Sequence, residues 1–229
     1  MASTAATVRA DARHAMSEAI LDAARRQLAE VGAPALSVRA VAREVGMASS
    51  AIYRYVSSRD ELLTMLIVDG YDRLGESVEA ADRAVVDRED LVARFRAIGR
   101  SIRAWAIANP HLYALLYGSP VPGYVAPETT VAPATRVSLA LATLLRERFS
   151  GVSEDVGVPG ASGLQAELVA TILHGVGEER ARRGVEIWAE IFGLVSFELF
   201  GHFVGSVADG DRFFEASLDD MVKRVGLLD

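Results

Sequence analysis

Apolar residues recur at intervals of three and four along most of the chain, and almost no run alternates with a period of two. This spacing places apolar side chains on one face of a helix, so it predicts an all-α protein. The first predicted helix covers about 17–31, and two short helices are predicted within 37–56. The remaining predicted helices cover about 58–82, 87–108, 110–117, 134–149, 164–173, 178–204 and 211–225. Ser17 is expected to cap the first helix, whose buried face is Ile20, Ala24, Leu28 and Val31. Ser58 and Glu61 have the spacing of a capping box at the start of the helix 58–82, and Asp87 is expected to start the helix that follows. The buried side predicted for the helix 58–82 is Leu62, Leu63, Leu66, Ile67, Leu74 and Val78.

Four segments depart from this pattern or complicate it. Residues 1–13 carry no apolar stripe and are expected to form a flexible arm. Residues 118–133 contain four prolines and two glycines, and a loop of this length in a compact domain is either an ordered lid or disordered. A second, glycine-rich loop is predicted before residue 164. The apolar stretch 185–207 is long enough to cross a bilayer, but its three glutamates are costly there, so it is predicted to be a buried helix.

Between residues 37 and 56 the pattern predicts two short helices joined by a tight turn. Ala42 is small enough for two helix backbones to touch, and Gly46 tolerates the positive φ that such a turn needs. The apolar residues expected to face inward are Val41, Val45, Met47, Ile52 and Tyr55. These features predict a helix-turn-helix, with an ordinary helical hairpin as the alternative.

Charge is distributed unevenly along the chain. The net charge is −7, yet residues 1–60 contain eight arginines and six acidic residues, which leaves the rest of the chain at −9. Residues 1–60, which we call the head, are mildly basic, and the rest of the chain is acidic. This distribution suits a protein that approaches the phosphate groups of a ligand with one end only. The absence of cysteine excludes disulfides and thiolate metal sites and fits a cytoplasmic protein. No secretory signal is expected, because no apolar core precedes Ile20.

The segment after the turn carries a family resemblance. Ile52-Tyr53-Arg54-Tyr55-Val56, followed by Arg59 and Leu62, resembles the signature Leu-Tyr-x-(Tyr/His)-Phe-x-x-(Lys/Arg)-x-x-Leu of the TetR family of repressors, and the likeness extends over about 15–65. It implies a three-helix DNA-binding domain at 14–60 after the arm 1–13, and a larger helical domain at 61–229 for effector binding and dimerisation. It also implies a homodimer that represses transcription from a palindromic double-stranded DNA operator and is released by a small molecule.

The resemblance assigns roles to individual residues. Tyr53 and Tyr55 look like the aromatic residues of the recognition helix that reach phosphate or base edges, and Arg59 looks like a basic residue that contacts the DNA backbone. Ser37 and Arg39 lie where the first helix directs its N-terminal amides at phosphate. The face expected to enter the major groove is Ser49, Ser50 and Ala51.

The motif also departs from the family pattern at four positions. Ala48 stands where Ser or Thr usually caps the recognition helix, with Ser49 as a substitute cap, and Val56 stands where Phe is usual. Ser49 and Ser50 stand where basic residues or glycine are common in the family. The operator sequence therefore cannot be transferred from relatives.

A weaker likeness covers residues 188–199, which resemble a C-terminal type with a Trp…His-Gly pattern, although Phe192 replaces its histidine. It implies that the last two helices pair with those of a second copy as a four-helix bundle. The candidate interface residues are Trp188, Phe192, Val195, Leu199 and Phe203.

Aromatic residues flank the Asn109-Pro110 break and are candidates for the wall of an effector pocket. They are Trp105, His111, Tyr113 and Tyr117, with His111 as the expected polar contact and a largely apolar effector. The alternative is that they belong to the core and that the protein is a constitutive dimeric DNA-binding protein without effector.

Other chemistry finds little support in the sequence. His174, Glu178 and Glu179 have no second histidine at helical spacing, so a solvated helix start is favoured over a metal site. Glu198 and His202 are expected to form a polar contact. No hydrolase, metalloprotease, P-loop or dinucleotide motif occurs, so neither enzymatic activity nor a cofactor is expected. The remaining alternative is an all-α enzyme that uses His111 or His174 as a base.

Overall fold

The computed structural model describes residues 2–150 and 163–228, and this part of the chain is helical, without strands. The helices are α1 (Ala2–Val31), α2 (Val38–Glu44), α3 (Ser49–Ile52), α4 (Arg59–Ala84), α5 (Leu91–Ala108), α6 (Pro110–Tyr117), α7 (Val131–Phe149), α8 (Ala166–Thr171), α9 (Glu178–Leu199) and α10 (Gly210–Val225). Short 3-10 turns occur at Ala33–Ala35 and Glu128–Thr130. The prediction of an all-α fold is confirmed.

The chain divides into two compact units. The first comprises Met1–Tyr71 and Pro110–Val131, and the second comprises Asp72–Asn109 and Ala132–Asp229. The boundary falls within α4, so a single helix contributes residues to both units. The functional division into 1–13, 14–60 and 61–229 stays a prediction.

In the first unit, α1 packs its apolar face on the short helices that follow. Ile20, Ala24 and Leu28 are buried as predicted, but Val31 is 49% exposed. The reason is that α1 ends at Val31, and Gly32, with a φ of 72°, turns the chain so that Leu36 becomes the next buried residue.

The start of α1 differs from the prediction. The helix begins at Ala2, so the cap expected at Ser17 is wrong. Six alanines lie within 2–16, and alanine has the highest helix propensity, so this segment is helical without an apolar stripe. Residues 10–15 are all exposed, which is consistent with the lack of apolar periodicity there.

The apolar side of α4 matches the prediction, since Leu62, Leu63, Leu66, Ile67, Leu74 and Val78 are all buried. Helix α5 starts later than expected, because Asp90 and not Asp87 is its cap and accepts a hydrogen bond from the Ala93 N–H at 2.8 Å. Helix α7 starts earlier, at Val131, because Pro133 lies in its first turn, where a missing N–H leaves no bond unmade. The loop predicted at 118–133 is therefore irregular only over 118–127.

The chain after α7 also departs from the predicted boundaries. The glycine-rich loop predicted before α8 lies largely outside the described residues. Helix α9 ends at Leu199 and not at 204, since Gly201 and Gly205 adopt positive φ angles in the turns that follow. The stretch 185–207 is thus only partly a buried helix. Over the described residues, no helix combines the length and the hydrophobicity that a membrane-spanning segment needs.

The second unit buries an apolar core between α5, α7, α9 and α10. Its fully buried side chains include Ile98, Ile102, Leu144, Ile191 and Leu218. Helices α5 and α10 approach closely at Gly99, where an added Cβ would lie 2.6 Å from a Leu218 methyl group. No larger residue than glycine fits at position 99, because Leu218 is itself packed in the core and cannot move aside.

Arginines on α5 join it to its neighbours in the second unit. Arg96 and Arg100 pair with Asp219 and Glu215 of α10, each at 2.7 Å. Arg103 pairs with Glu198 of α9 at 2.6 Å, so the predicted contact between Glu198 and His202 is wrong. The ring of His202 instead lies 5.0 Å from that of Phe197, because α9 has ended before residue 202.

Two further arginines tie α4 to α7. Arg136 donates to both carboxylate oxygens of Glu79 at 2.9 Å and to Asp72 at 2.8 Å. Arg94, only 3% exposed, donates to Asp82 at 2.7 Å and also contacts Glu147. A buried guanidinium is tolerated because these carboxylates compensate its charge.

These ion pairs lower the pKa of several carboxyl groups. Hydrogen bonds from Arg136 lower the pKa of Glu79, and hydrogen bonds from Arg100 lower that of Glu215. Burial alone would raise the pKa of Asp82, but hydrogen bonds from Arg94 and Arg88 outweigh it and lower the pKa. All three groups stabilise the folded second unit while they are ionised.

The first prediction concerns acid. A carboxyl group with a lowered folded pKa contributes stability above its unfolded pKa and loses it as the pH falls through the folded value. We therefore expect the free energy of unfolding to be nearly constant from about pH 8 to 5 and to fall below about pH 4.5. Urea unfolding followed by circular dichroism measures this dependence.

Arg136→Gln is the matched variant for this prediction. It removes the partner of Glu79, so the variant should lose stability at neutral pH and show a shallower fall in acid than the wild type. A wild-type free energy of unfolding that stays unchanged from neutral pH to about pH 3 would contradict the role given to the ion pairs.

Candidate nucleic-acid interface

The helix-turn-helix is formed by α2 and α3 and the turn 45–48 between them. Ala42 is fully buried, and its carbonyl accepts a hydrogen bond from the Met47 N–H at 2.8 Å. Gly46 has a φ of 68°, and a Cβ built there would meet no atom within 4 Å. The glycine is therefore required by backbone conformation and not by lack of space, as the sequence predicted.

The inward face of the motif follows the predicted pattern. Val41 and Ile52 are fully buried, whereas Val45, Met47 and Tyr55 are half-buried. Val56, which replaces the usual phenylalanine, is also fully buried. The smaller side chain is thus accommodated without leaving the core.

Side-chain caps are absent from both short helices. Ser37 is the cap residue of α2, but its side chain makes no capping hydrogen bond; its own N–H donates to the side-chain oxygen of Gln27 at 2.6 Å. Ala48 precedes α3 without a side-chain cap, and Ser49 is already the first helical residue, so it does not substitute. These short helices are held by packing and by neighbouring elements.

The exposed side of α3 carries most of the predicted recognition residues. Ser49 and Ser50 are exposed, Ala51 is half-buried, and Tyr53, which follows α3 directly, is 44% exposed. Tyr55 is half-buried, and the guanidinium of Arg13 lies 5.9 Å from the centre of its ring. The two tyrosines therefore differ, because Tyr53 is the more exposed of the two.

The first turn of α4 is capped by its own residues. The Ser58 hydroxyl accepts from the Glu61 N–H at 3.0 Å, as the spacing predicted. The Glu61 carboxylate accepts from the N–H of Ser57 at 2.6 Å and from the Ser57 hydroxyl. These bonds lower the pKa of Glu61, so the cap is fully formed at neutral pH.

Arg59 has contacts that the sequence did not predict. Its Nη2 donates to the carbonyl oxygen of Ala33 at 2.9 Å and to that of Pro34 at 3.3 Å. Part of its hydrogen-bonding capacity is thus used within the chain. Its assignment to a DNA phosphate stays a prediction.

Apart from Arg59, the arginines of the first unit whose side chains are described fall into two groups. Arg25 and Arg26 are paired, with Asp69 at 2.6 Å and Glu44 at 2.5 Å. Among the described residues, four exposed arginines have no carboxylate partner, namely Arg13, Arg39, Arg43 and Arg54. Their charge remains available to an external anion.

Of these four, only Arg39 was singled out from the sequence. A partial signal was present, because none of the four has a carboxylate three or four positions away in the sequence, whereas Arg25 has Asp22 and pairs with it. The pair between Arg26 and Glu44 joins two helices and has no such local signal.

The residues predicted to line an effector pocket have different surroundings. Trp105 is buried in the second unit, while His111 is exposed, Tyr113 is fully buried and Tyr117 is half-buried in the first. The ring centroid of Tyr117 lies 5.0 Å from that of Tyr113, and burial raises the pKa of Tyr117. The pocket stays a prediction, and its expected polar contact, His111, is a surface residue.

The residues predicted for the dimer interface do not form one exposed stripe. Phe192 and Val195 are buried in the second unit, Leu199 and Phe203 are half-buried, and Trp188 is 38% exposed. The exposed aromatic side chains near the end of α9 are Phe197 and Phe200, at 53% and 42%. Phe192 and Val195, in the middle of the predicted stripe, are buried because α9 packs against α5 and α10.

Neither histidine considered for other chemistry lies in a metal cluster. His174 is exposed, and Glu179 pairs with Arg182 at 2.7 Å, as expected of a solvated helix start. Within the described ranges, no group of three metal-ligating side chains is arranged to hold an ion.

Comparison with known proteins agrees with this geometry. Residues 20–66 match the family of bacterial regulatory proteins described as the tetR family, and residues 95–221 match a C-terminal domain described as Tetracyclin repressor-like. HTH-type transcriptional regulators of Mycobacterium tuberculosis and Mycobacterium bovis are each 42% identical over 204 residues, which is 85% of this chain and 85% of theirs.

Solved structures share the fold as well. The regulatory protein SCO4313 superposes with a TM-score of 0.73 at 30% identity, covering 93% of this chain and 98% of its own. PfmR, a TetR family transcriptional regulator from Thermus thermophilus, superposes at 0.56 with 17% identity, covering 89% and 97%. From its two family matches and its close relatives, the chain is a member of the TetR family, a transcriptional regulator that binds DNA through its helix-turn-helix and not an enzyme.

Proposed function

We propose that the protein is a homodimeric repressor that binds a palindromic operator and is released from it by a small molecule. The observation that carries the DNA-reading part is the exposed side of α3, where Ser49, Ser50 and Tyr53 are accessible, together with four exposed arginines of the same unit that have no carboxylate partner among the described residues. Such a regulator acts where bacterial DNA lies, in the cytoplasm.

The proposed contacts divide into two kinds. Ser49, Ser50 and Ala51 read base edges in the major groove, because hydroxyls bond to any base and a methyl group packs on thymine. Ser37, Arg39, Tyr53 and Tyr55 contact the backbone, joined by Arg13 and Arg54, whose side chains are exposed on the same unit. In a twofold dimer, two such heads lie about 34–36 Å apart in successive major grooves.

We assign the dimer contact to the outer side of α9 and α10. Phe197, Phe200 and Phe213 are exposed there, and large apolar side chains that share one exposed surface mark an interaction site. Ala189, Gly193 and Ala216 are small residues with accessible surface on the same helices, which allow helices of a second copy to approach closely. Members of the family are typically dimeric.

The effector part of the proposal rests on aromatic residues of α4 and α6. In the first unit, the rings of Tyr71, Tyr113 and Tyr117 form a cluster with centroid distances of 5.9 and 5.0 Å. Such rings suit a largely apolar ligand. An apolar void in the core of the second unit, lined by Phe95, Leu141 and Ile187, has a volume of about 10 Å³, which is room for about one water molecule.

Release requires that the effector distinguish two states of the protein. A hundredfold loss of operator affinity needs about 2.7 kcal/mol of difference between effector binding to the free and DNA-bound forms. Helix α4, which contributes to both units, is the proposed element whose shift changes the separation of the two heads. Operator binding that no apolar metabolite alters would favour a constitutive DNA-binding dimer instead.

The second prediction tests the operator. Selection from random double-stranded DNA should enrich a palindrome with half-sites one helical turn apart. Tyr53→Ala, a change at a side chain that is 44% exposed, should lower affinity for the enriched duplex by about tenfold or more. Binding is measured by fluorescence anisotropy at fixed salt.

Ile107→Ala serves as the control for that selection. Ile107 lies on α5 in the second unit and is 50% exposed, so its loss should leave the enriched sequence and the affinity unchanged. Absence of any enriched palindrome, or a Tyr53 variant indistinguishable from the control, would refute the repressor proposal.

The third prediction tests the dimer. Phe197→Glu places a charge on the proposed interface and should shift sedimentation equilibrium towards the monomer, because burying an unpaired charge is costly. Val86→Glu, at a side chain that is 97% exposed in the loop between α4 and α5, should leave the dimer intact. A Phe197 variant that remains as dimeric as the Val86 variant would exclude this surface.

A further inference from the structure

The turn 32–37, which leads from α1 into α2, is held from two sides by side chains of the first unit. Gln27 reaches it from α1, and Arg59 reaches it from the first turn of α4. We call this arrangement of Gln27, Arg59 and the turn 32–37 the turn clamp.

The contact from α1 is buried. Gln27 is only 8% exposed, and its side-chain oxygen accepts from the Ser37 N–H at 2.6 Å. Ser37 is the residue from which α2 starts, and its backbone is extended, with φ −137° and ψ 119°. A buried amide that loses its partner is costly, so this bond defines where α2 begins.

The contact from α4 satisfies carbonyl groups at the other end of the turn. Arg59 Nη2 donates to the Ala33 oxygen at 2.9 Å and to the Pro34 oxygen at 3.3 Å. A cationic donor makes a stronger bond to a carbonyl than a neutral one does. The guanidinium thus links the start of α4 to the segment that precedes α2.

The turn has weak bonds of its own. Its two internal backbone bonds, Ala35 N–H to Gly32 and Leu36 N–H to Ala33, are both 3.3 Å long. The Gln27 bond to Ser37 at 2.6 Å and the Arg59 bond to Ala33 at 2.9 Å are both shorter than these. The two side chains therefore supplement the few bonds that the turn makes within itself.

We propose that Gln27 and Arg59 are positioning residues for DNA recognition, which fix the start of α2 and, through the tight turn at Gly46, the direction of α3. The inference rests on the proposed function, since it concerns operator binding. It gives Arg59 a role that differs from the phosphate contact implied by the family signature. It also gives a role in DNA binding to Gln27, a neutral and buried residue without access to DNA.

The first readout is hydrogen exchange of the free protein. Gln27→Met keeps the volume and removes the acceptor, so backbone amides at 37–41 should exchange about tenfold faster than in the wild type, with the amides of α9 unchanged. Gln165→Met, at an exposed glutamine in the second unit, should leave both regions unchanged. Unchanged exchange at 37–41 in the Gln27 variant would overturn the clamp.

The second readout is affinity for the duplex enriched by the wild-type protein, measured over a range of salt at a temperature where circular dichroism finds every variant folded. Gln27→Met and Arg59→Lys should each bind about tenfold more weakly, with the slope of log K against log salt unchanged. A scrambled duplex of equal length should be bound as by the wild type. The reason is that a misplaced α3 weakens sequence-specific binding, whereas the number of phosphate contacts, which sets the salt slope, stays the same.

A pair of variants separates positioning from charge. If Arg59 only neutralises phosphate, Arg59→Lys should bind as the wild type does and Arg59→Gln should reduce the slope by about 1.8 per dimer. That result would overturn its positioning role. Normal operator affinity of Gln27→Met would overturn the proposal for Gln27, as would faster exchange without weaker binding. If the wild type enriches no duplex, the proposed function fails, although hydrogen exchange still reports whether the clamp exists.

Discussion

The positive φ of Gly46 is the constraint on which the DNA-binding head depends. It reverses the chain within four residues, so that α3 packs back on α2 where Ala42 is fully buried. A larger residue at 42 would separate the two backbones, and most residues at 46 would strain the turn. Because α3 is only four residues long and has no side-chain cap, it depends on this packing for its conformation.

The arrangement of charge follows from the same packing. Pairing with acidic residues on α1, α2 and α4 neutralises Arg25 and Arg26, whereas Arg39 and Arg54 on the helix-turn-helix remain exposed. The modest excess of positive charge in the first 60 residues is therefore concentrated in a few unpaired side chains. In the second unit the opposite holds, because the arginines of α5 are matched by acids on α9 and α10.

The sequence predicted those features of the structure that depend on a single local property, such as backbone conformation, residue size or apolar spacing. Gly46, Ala42 and the apolar face of α4 each follow from spacing or backbone geometry, and the structure confirms them. It was uninformative where long-range packing decides. Nothing local indicates that Arg59 reaches Ala33, that Glu198 pairs with Arg103, or that Phe192 faces inward. The start of α1 was missed for another reason, since alanine favours a helix without any apolar pattern.

The central claim, that the unpaired cations of the head meet DNA phosphate, is tested most directly by the salt dependence of operator binding. With three or four phosphate contacts per half-site, the slope of log K against log salt should be about −5 to −7. Arg39→Gln removes one contact from each half-site and should reduce the magnitude of this slope by about 1.8, whereas Arg26→Gln, which removes a cation already paired with Glu44, should leave it unchanged. Equal slopes for the wild type and both variants would contradict the account.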